Sequence, residues 1–377
     1  MTSPYRIPLA SPLHTPEIED AVLSVVRSRW LVAGEKTAAF EDALCRQTGR
    51  KYAVAVSSGT GALLAAMVAM GIGAHSTVVV PSFTFPAPAS VAAFLGAKIR
   101  LCDVDPVTFN VSGNTLREVL DDSVSLVVAI DQFGNPCPAP QLEGICAEWG
   151  IPLLVDAACS LGATYNRKQC GSFGDAAIFS FHPRKIITTA EGGAVMTDDE
   201  GLATAVRRFR NIGMENGAFV TAGINLRPSE MGMAMGMVQM NMLNDILSKR
   251  RMLADAYRDL PFVQQQPLVD AQPNYQSMVA VLPTCRQSGE PYSREIRADL
   301  VAFLASAGIE SQVGSYHLAR IDWMVTKHFA QPDATRNGDL LHDFAIALPL
   351  HGALTKSDIK EVVQACGAWV SHMGGGQ

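Results

Sequence analysis

Short apolar segments alternate with helix-compatible segments between about residues 50 and 200. The apolar segments predict seven strands, at Tyr52–Val56, Thr77–Pro81, Lys98–Val104, Val124–Ile130, Leu153–Asp156, Ala176–Phe181 and Ala194–Thr197. Helical patterns fall between the earlier strands, at Ala62–Met70, Pro88–Leu95, Thr115–Leu120 and Pro140–Trp149. This alternation is typical of a mostly parallel sheet flanked by helices. We therefore predict an α/β fold for this part of the chain.

The pattern changes in the second half of the chain. Helical patterning dominates after Glu200, most clearly over Met231–Arg251, and the next segment, Phe262–Gln272, is polar and interrupted by prolines. Beyond it, a β-prone segment and amphipathic helices are predicted at Ser277–Leu282, Ser293–Ala307 and Thr355–Val370. We predict a large domain over residues 1–250 and a smaller α+β domain over residues 251–377, with about the first 30 residues packing near the small domain.

Composition narrows the class of protein. The net charge is −6 and Lys and Arg form no clustered stripe, so we expect no nucleic-acid partner. The eight cysteines show neither C-x-x-C pairs nor Cys/His ligand spacing, so we expect no metal site and reduced thiols. The amino terminus lacks a signal-peptide pattern, and the apolar stretches are too short to span a bilayer. We expect a cytoplasmic protein without a membrane partner.

Two residues could carry chemistry. Asp156 ends the apolar segment Ile151–Asp156, and ligands gather at the carboxyl ends of parallel strands. An acid there can cap a helix, bind a metal, or hold the ring nitrogen of pyridoxal phosphate (PLP) protonated. Lys185 lies in a polar bend, His182–Glu191. It is either a surface lysine or the lysine that forms an imine with an aldehyde cofactor and then acts as a base.

A phosphate site is predicted near the start of the sheet. The strand Tyr52–Val56 is followed by Ser57-Ser58-Gly59-Thr60-Gly61 and then by a helix. A small-residue turn at a helix amino terminus presents free backbone N–H groups to an anion. Many βα units begin in this way, but the order of phosphate turn, strand-end Asp and loop Lys favours a PLP site.

With these motifs the chain resembles the DegT family of PLP-dependent sugar aminotransferases over essentially its whole length. The central motifs are Ser57–Thr60, Asp156-Ala157-Ala158, Gly171–Asp175, Ser180-Phe181-His182-Pro183-x-Lys185 and Glu191–Ala194. Flanking matches are Trp30-Leu31 with Gly34, Pro81–Phe85, Asn225-Leu226-Arg227-x-Ser229-Glu230 and Leu348–His351. The resemblance implies a fold-type-I PLP-dependent transferase, with a seven-stranded, mostly parallel sheet in the large domain.

The resemblance also implies roles for single residues. Lys185 would hold PLP as an imine and move the proton, and Asp156 would keep the ring nitrogen protonated. The phosphate ligands would be Ser58, Gly59, Thr60 and Ser180. Phe85 would stack on the ring, with a core aromatic as the alternative, and Cys159 would contact the ring.

The resemblance implies that the active sites lie between subunits. Asn225 would reach the phosphate of the partner in a homodimer, with a simple turn residue as the alternative. Loops around Trp30–Gly34, Asp131–Asn135 and Gly314–His317 would supply substrate contacts. The candidate substrate residues are Trp30, Arg184, Tyr316 and His317.

Several positions depart from the family pattern. Cys159 stands where members commonly have Gln or His, and cysteine is a weak hydrogen-bond donor. Asp131-Gln132-Phe133-Gly134 replaces a more usual His-x-Tyr-Gly, and Ile186 replaces an Asn. These changes suggest a substrate outside the commonest nucleotide-sugar set.

The leading function is a transaminase that moves an amino group from an amino acid such as glutamate to a keto-sugar, with a nucleotide-linked sugar as the favoured acceptor, in amino-sugar or secondary-metabolite biosynthesis, including antibiotics. A free keto-cyclitol or another small carbonyl compound is an alternative acceptor. A different PLP reaction and a non-enzymatic regulator are further alternatives. Members that dehydrate sugars replace the lysine with His, so Lys185 disfavours dehydration.

Overall fold

A seven-stranded sheet forms the centre of the computed structural model, which describes residues 4–285, 291–325 and 335–374. Its strands are β1 (Tyr52–Val56), β2 (Thr77–Pro81), β3 (Lys98–Cys102), β4 (Leu126–Ile130), β5 (Leu153–Asp156), β6 (Ala176–Ser180) and β7 (Gly193–Thr197). Their order is β1-β7-β6-β5-β4-β2-β3, and β7 runs antiparallel to both of its neighbours. The other pairs within the sheet are parallel. The predicted fold class is confirmed.

Side chains alternate between the two faces of this sheet. In β1, Ala53 and Ala55 belong to one apolar core, whereas Val54 and Val56 belong to the other. Residues of α3, α4 and α7 build the second core, and residues of α2, α6, α8 and α9 contribute to the first. A sheet covered on both faces explains why its strands are almost wholly apolar.

The helices agree with the sequence pattern in part. They are α1 (Pro16–Ser28), α2 (Glu35–Thr48), α3 (Gly59–Ala69), α4 (Ala87–Phe94), α5 (Gly113–Arg117), α6 (Ala139–Trp149), α7 (Glu200–Arg210), α8 (Glu230–Asn241), α9 (Leu243–Ala254), α10 (Ile296–Ser306), α11 (Asp322–Val325), α12 (Arg336–Phe344) and α13 (Lys356–Gly374). The predicted helical stretch Met231–Arg251 is helical, and it consists of two helices, α8 and α9, because the chain leaves helical geometry at Met242.

The second half of the chain builds a third apolar core. A four-stranded antiparallel sheet contains β8 (Val263–Gln264), β9 (Met278–Val281), β10 (Gln312–Val313) and β11 (Ala345–Leu348) in the order β8-β9-β11-β10. Residues of α10 and α13 pack with it, and so does Ile7 from near the amino terminus. The domain limits at residues 250 and 251 stay predictions.

Short strand pairs connect distant parts of the chain. Tyr316–His317 pairs with Phe83–Thr84 directly before Phe85. Ala271–Gln272 pairs with Thr164–Tyr165, which also pairs with Lys168–Gln169, and Met214–Glu215 pairs with Ala218–Phe219. The first of these pairs brings a carboxy-terminal segment to the edge of the large sheet where β2 ends. Over the described ranges, no helix is long and apolar enough to cross a membrane.

Candidate active site

Asp156 lies at the carboxyl end of the central strand β5. It pairs with Ile130 of β4 and Ile178 of β6, and its side chain is 6% exposed. The carboxylate accepts a hydrogen bond from the Ala158 backbone N–H at 3.0 Å. Burial raises the pKa of Asp156 to about 6, although this hydrogen bond and the charge of Lys185 lower it. The group is therefore a buried acid with strong affinity for a proton or a cation.

Lys185 lies in the loop after β6, at the same edge of the sheet as Asp156. Its backbone N–H donates to the His182 carbonyl at 2.8 Å, which turns the loop. Its ammonium Nζ lies 3.0 Å from Cys159 Sγ, in the turn that follows Asp156. The side chain is half-buried. The fold therefore brings together Lys185, Cys159 and Asp156, as predicted for a cofactor site.

The turn before α3 has the geometry of an anion site. The Ser58 hydroxyl caps α3 by accepting from the Gly61 N–H at 2.9 Å. Gly59 faces Ser180 so closely that an added Cβ would lie 2.6 Å from Ser180 Cβ. Thr60 is exposed at the helix end. The start of α3 and the end of β6 thus meet in a cradle that only glycine fits.

Three aromatic side chains are exposed, two of them near the end of β2 and one on the loop before α2. Phe85 is 65% exposed, so the core-aromatic alternative is wrong. Tyr316 is 41% exposed on the short strand that pairs with Thr84, next to Phe85 in sequence. Trp30 is 65% exposed and lies against Gly34, where an added Cβ would come within 2.5 Å of the indole. Phe85, Tyr316 and Trp30 are accessible to a ligand or to a partner chain.

The structure corrects the expectation for His317. Its side chain is 4% exposed, with Nε2 2.9 Å from the Thr335 hydroxyl and Nδ1 3.5 Å from the Asp339 carboxylate. Its backbone N–H donates to His342 Nδ1 at 3.2 Å. A histidine enclosed in this way anchors the strand that presents Tyr316, rather than contacting a substrate directly.

The loop Asp131–Asn135 also departs from the expectation. Asp131, Gln132 and Asn135 are each at most 5% exposed. Phe133 has a φ of 60° and Gly134 a φ of 89°, which turns the loop back into the protein. These polar groups therefore bond to the interior, as Gln132 Nε2 does with the Phe83 carbonyl at 2.5 Å, and do not line a substrate pocket.

The other two predicted residues are exposed. The Arg184 guanidinium lies 3.3 Å from the side-chain amide of Gln312. Asn225 accepts from the Arg227 N–H at 3.2 Å through its side-chain oxygen. Its neighbour Leu226 accepts from the Ser57 N–H at 2.8 Å, which holds the backbone of this segment in place and leaves the Asn225 side chain exposed.

An arginine-lined cavity was missed by the sequence reasoning. About 360 Å³ of space is lined by Arg207, Arg208 and Arg210 from the end of α7, by Arg227, and by Ala33 from the Trp30 loop. Arg208 pairs with Glu215 and Arg210 with Glu41, each at 2.7 Å. Arg207 lies over the Tyr52 ring, and Arg227 donates to the Asn211 side chain. The signal in the sequence was the group of three arginines within four residues.

The sequence of this chain is similar to those of known proteins. Residues 12–366 match the model of the DegT/DnrJ/EryC1/StrS aminotransferase family. The chain belongs to this family. It is a PLP-dependent aminotransferase. Over 256 residues the chain is 34% identical to GDP-perosamine synthase of Caulobacter vibrioides. The aligned residues cover 67% of this chain and 69% of that protein.

Solved structures show the same fold. Aminotransferase TlmJ from Streptoalloteichus hindustanus is 25% identical with a TM-score of 0.89, over 97% of this chain and 99% of that one. GDP-4-keto-6-deoxy-D-mannose-3-dehydratase of E. coli, with bound hydrated PLP, is 26% identical with a TM-score of 0.88, over 96% and 99%. Aminotransferase PseC of Helicobacter pylori, at 24% identity and a TM-score of 0.87, covers 96% and 98% and supports the fold alone.

The residues of the site fit PLP. The cradle at Gly59 and Ser180 leaves no room for a larger residue, as a close backbone approach to a phosphate requires. The buried Asp156 has the proton affinity needed opposite a pyridine nitrogen, and Lys185 is half-buried at the same edge. The residues of the site thus suit both the phosphate and the ring of the cofactor.

Proposed function

We propose that this aminotransferase moves an amino group from an amino acid, glutamate in the first instance, to the keto group of a nucleotide-linked sugar in amino-sugar biosynthesis. The observation that carries the chemistry is that Lys185 and Asp156 lie at the same edge of the sheet, with Lys185 Nζ 3.0 Å from Cys159 Sγ in the turn after Asp156. PLP, when bound, supplies the electron sink for this transfer.

The residues have separate tasks in this proposal. Lys185 holds the cofactor and carries the proton between carbon atoms. Asp156 keeps the ring nitrogen protonated through its negative charge. Ser58, Gly59 and Thr60 bind the phosphate with Ser180 opposite them. Phe85 would cover the ring face, and Cys159, whose Sγ lies 3.0 Å from Lys185 Nζ, would contact the ring.

The arginine-lined cavity supports an acceptor that carries a diphosphate. Arg207 and Arg227 form no ion pair with a carboxylate in the described part of the chain, so their charge is available to an anion. The cavity borders the segment that contains Leu226, which packs on Gly61 of the phosphate turn. By contrast, Arg320, which follows the Gly314–His317 loop, is held by Asp339 and Asp343.

A screen of amino acceptors tests the substrate class. With glutamate as donor, we expect turnover of at least one nucleotide-linked keto-sugar, and an increase in KM for it of about tenfold in Arg227→Gln, because one phosphate contact is lost. Arg258→Gln, an exposed arginine on another face, is the matched control. Turnover of free cyclitol or sugar ketones alone would support the alternative acceptor and refute this one.

We further infer a homodimer with Asn225 reaching the partner's phosphate. Large apolar side chains are exposed near Asn225 and on the Trp30 loop, including Leu31, Val32, Phe219, Val220 and Ile224. Apolar surface of this extent is typical of a protein interface. The eight scattered cysteines, all unpaired, support a cytoplasmic location as a further proposal.

Light scattering and cofactor titration test the assembly. The wild type is expected to be a dimer, and Asn225→Ala a dimer whose dissociation constant for PLP is about tenfold higher, because a hydrogen bond to a charged phosphate is lost. Asn114→Ala, an exposed asparagine on α5, should change neither quantity. A monomer that is fully loaded with cofactor would contradict the inference.

A further inference from the structure

A second buried acid lies beside Asp156. Asp131 follows β4 directly, and its backbone N–H donates to the Asp156 carbonyl at 3.1 Å. The residue before it, Ile130, is the strand partner of Asp156. The Asp131 side chain is 2% exposed. Two carboxyl groups are therefore neighbours at the edge of the sheet where Lys185 lies.

The Asp131 carboxylate is surrounded by hydrogen-bond donors. The Ser160 hydroxyl donates to one oxygen at 2.5 Å, and the Cys137 backbone N–H donates to the other at 2.8 Å. The thiols of Cys137 and Cys170 lie near the carboxyl and favour its ionised form. Burial raises the pKa of Asp131, whereas these donors lower it. The donors favour the ionised carboxylate and act against the larger effect of burial.

Ser160 connects Asp131 to the turn that carries Cys159. The turn begins after Asp156 and is closed by the Ser160 N–H, which donates to the Ala157 carbonyl at 3.0 Å. Ser160 is fully buried. Because Cys159 precedes it and touches Lys185 Nζ, a shift of Ser160 would move the contact between Cys159 and Lys185.

Asn274 holds the same turn from the other side. Its side-chain amide donates to the Cys159 carbonyl at 2.8 Å and to the Leu161 carbonyl at 2.9 Å, and it is fully buried. An added Cβ on Gly134 would lie 1.9 Å from the Asn274 side-chain oxygen, so Gly134 and Asn274 are in tight contact. Asn274 is neutral, so Asp131 is the anchor that also brings a charge.

We propose that Asp131 is a positioning residue for transamination: through Ser160 it holds the turn from Asp156 to Cys159, and its negative charge makes Asp156 a stronger base toward the cofactor's ring nitrogen. This inference rests on the roles proposed above for Asp156 and Lys185. The titratable groups that face the pair are Lys185 on the side of Asp156, and Cys137 and Cys170 on the side of Asp131. The charge of Asp131 acts on Asp156 in the direction of a higher pKa.

Three substitutions separate position from charge. Asp131→Asn keeps the size and can still accept from the Cys137 N–H, but it removes the charge. Ser160→Ala keeps the charge and removes the link to the turn. Asp175→Asn is the matched control, because Asp175 accepts from the Leu153 N–H at 2.8 Å at the opposite end of β5.

The measurements are the pH titration of the bound cofactor's absorbance, the dissociation constant for PLP, and kcat and KM. A nearby anion stabilises the protonated cofactor, so Asp131→Asn should lower the titration midpoint by about one pH unit. Its kcat should fall about tenfold with an unchanged KM for the amino donor. Ser160→Ala should keep the midpoint and weaken PLP binding about tenfold, and Asp175→Asn should match the wild type.

A wild-type midpoint and kcat in Asp131→Asn would overturn the proposal, and so would equal changes in Asp175→Asn. If Asp131→Asn does not fold, unchanged PLP affinity in Ser160→Ala overturns the link through the turn. Failure of the proposed function looks different, since the wild-type protein would then show no cofactor absorbance that depends on Lys185. That result would overturn both inferences together.

Discussion

Lys185→Ala is expected to lower the transamination rate by at least about 10⁴-fold, because the residue that holds the cofactor and moves the proton is removed. No neighbour can replace it, since Lys185 is the only lysine between Lys168 and Lys249. The described structure shows one side-chain hydrogen bond for Lys185, to Cys159. The fold should therefore tolerate the change.

Borohydride reduction and mass spectrometry measure the result directly. The wild type should retain a reduced cofactor adduct on the peptide that contains Lys185, and the alanine variant should retain none. Lys168→Ala is the matched control, because Lys168 is exposed on a short strand outside the site. An adduct that persists in Lys185→Ala would refute the assignment.

Asp156→Asn is expected to lower kcat by about a hundredfold or more, with a smaller loss of PLP affinity. The amide keeps the shape of the side chain, but it removes the close negative charge that holds the ring nitrogen protonated, and such a charge shifts a pKa by about one to three units. Steady-state kinetics and cofactor titration check this, with Asp175→Asn as the control at the other end of β5. Near-normal turnover would mean that Asp156 only caps the following turn.

The stability of the cofactor-free protein gives this prediction a control for folding. Burial raises the pKa of Asp156 to about 6, so between about pH 4 and pH 6 the native state binds this proton more tightly than the unfolded chain does. The contribution of Asp156 to the free energy of unfolding is therefore present below about pH 4 and is lost as the pH rises to about 6. At pH 7 the Asn variant without cofactor should therefore unfold thermally no earlier than the wild type.

The sequence predicted the large sheet well for a local reason. Each of its strands is a short apolar segment, and a strand that is buried on both faces must be apolar along its length. The ends were less certain, since the predicted strand Lys98–Val104 ends at Cys102 and the predicted strand Val124–Ile130 begins at Leu126. Helices α1 and α2 were missed, although Thr15 and Gly34 lie directly before them.

The outcome of each prediction for the site depended on how far apart in the chain the interacting residues lie. The phosphate turn, Asp156 and Lys185 follow fixed positions along strands and turns, so their order in the chain already indicated a common edge. The burial of His317 depends on Thr335 and Asp339, which arrive from a later helix. The burial of the Asp131 carboxylate depends on Ser160 and Cys170, which are distant in sequence, and on the nearer Cys137.

The sequence by itself thus determined the α/β class, the family resemblance and the candidates for the cofactor site, because each depends on local patterns and on residue types at set spacings. Only the tertiary structure decided which polar side chains face a ligand and which face the interior. It placed Arg207 and Arg227 on one cavity and joined the Asp131 carboxylate to Ser160, in the turn after Asp156. Those choices arise from contacts between segments far apart in the chain, which no local pattern records.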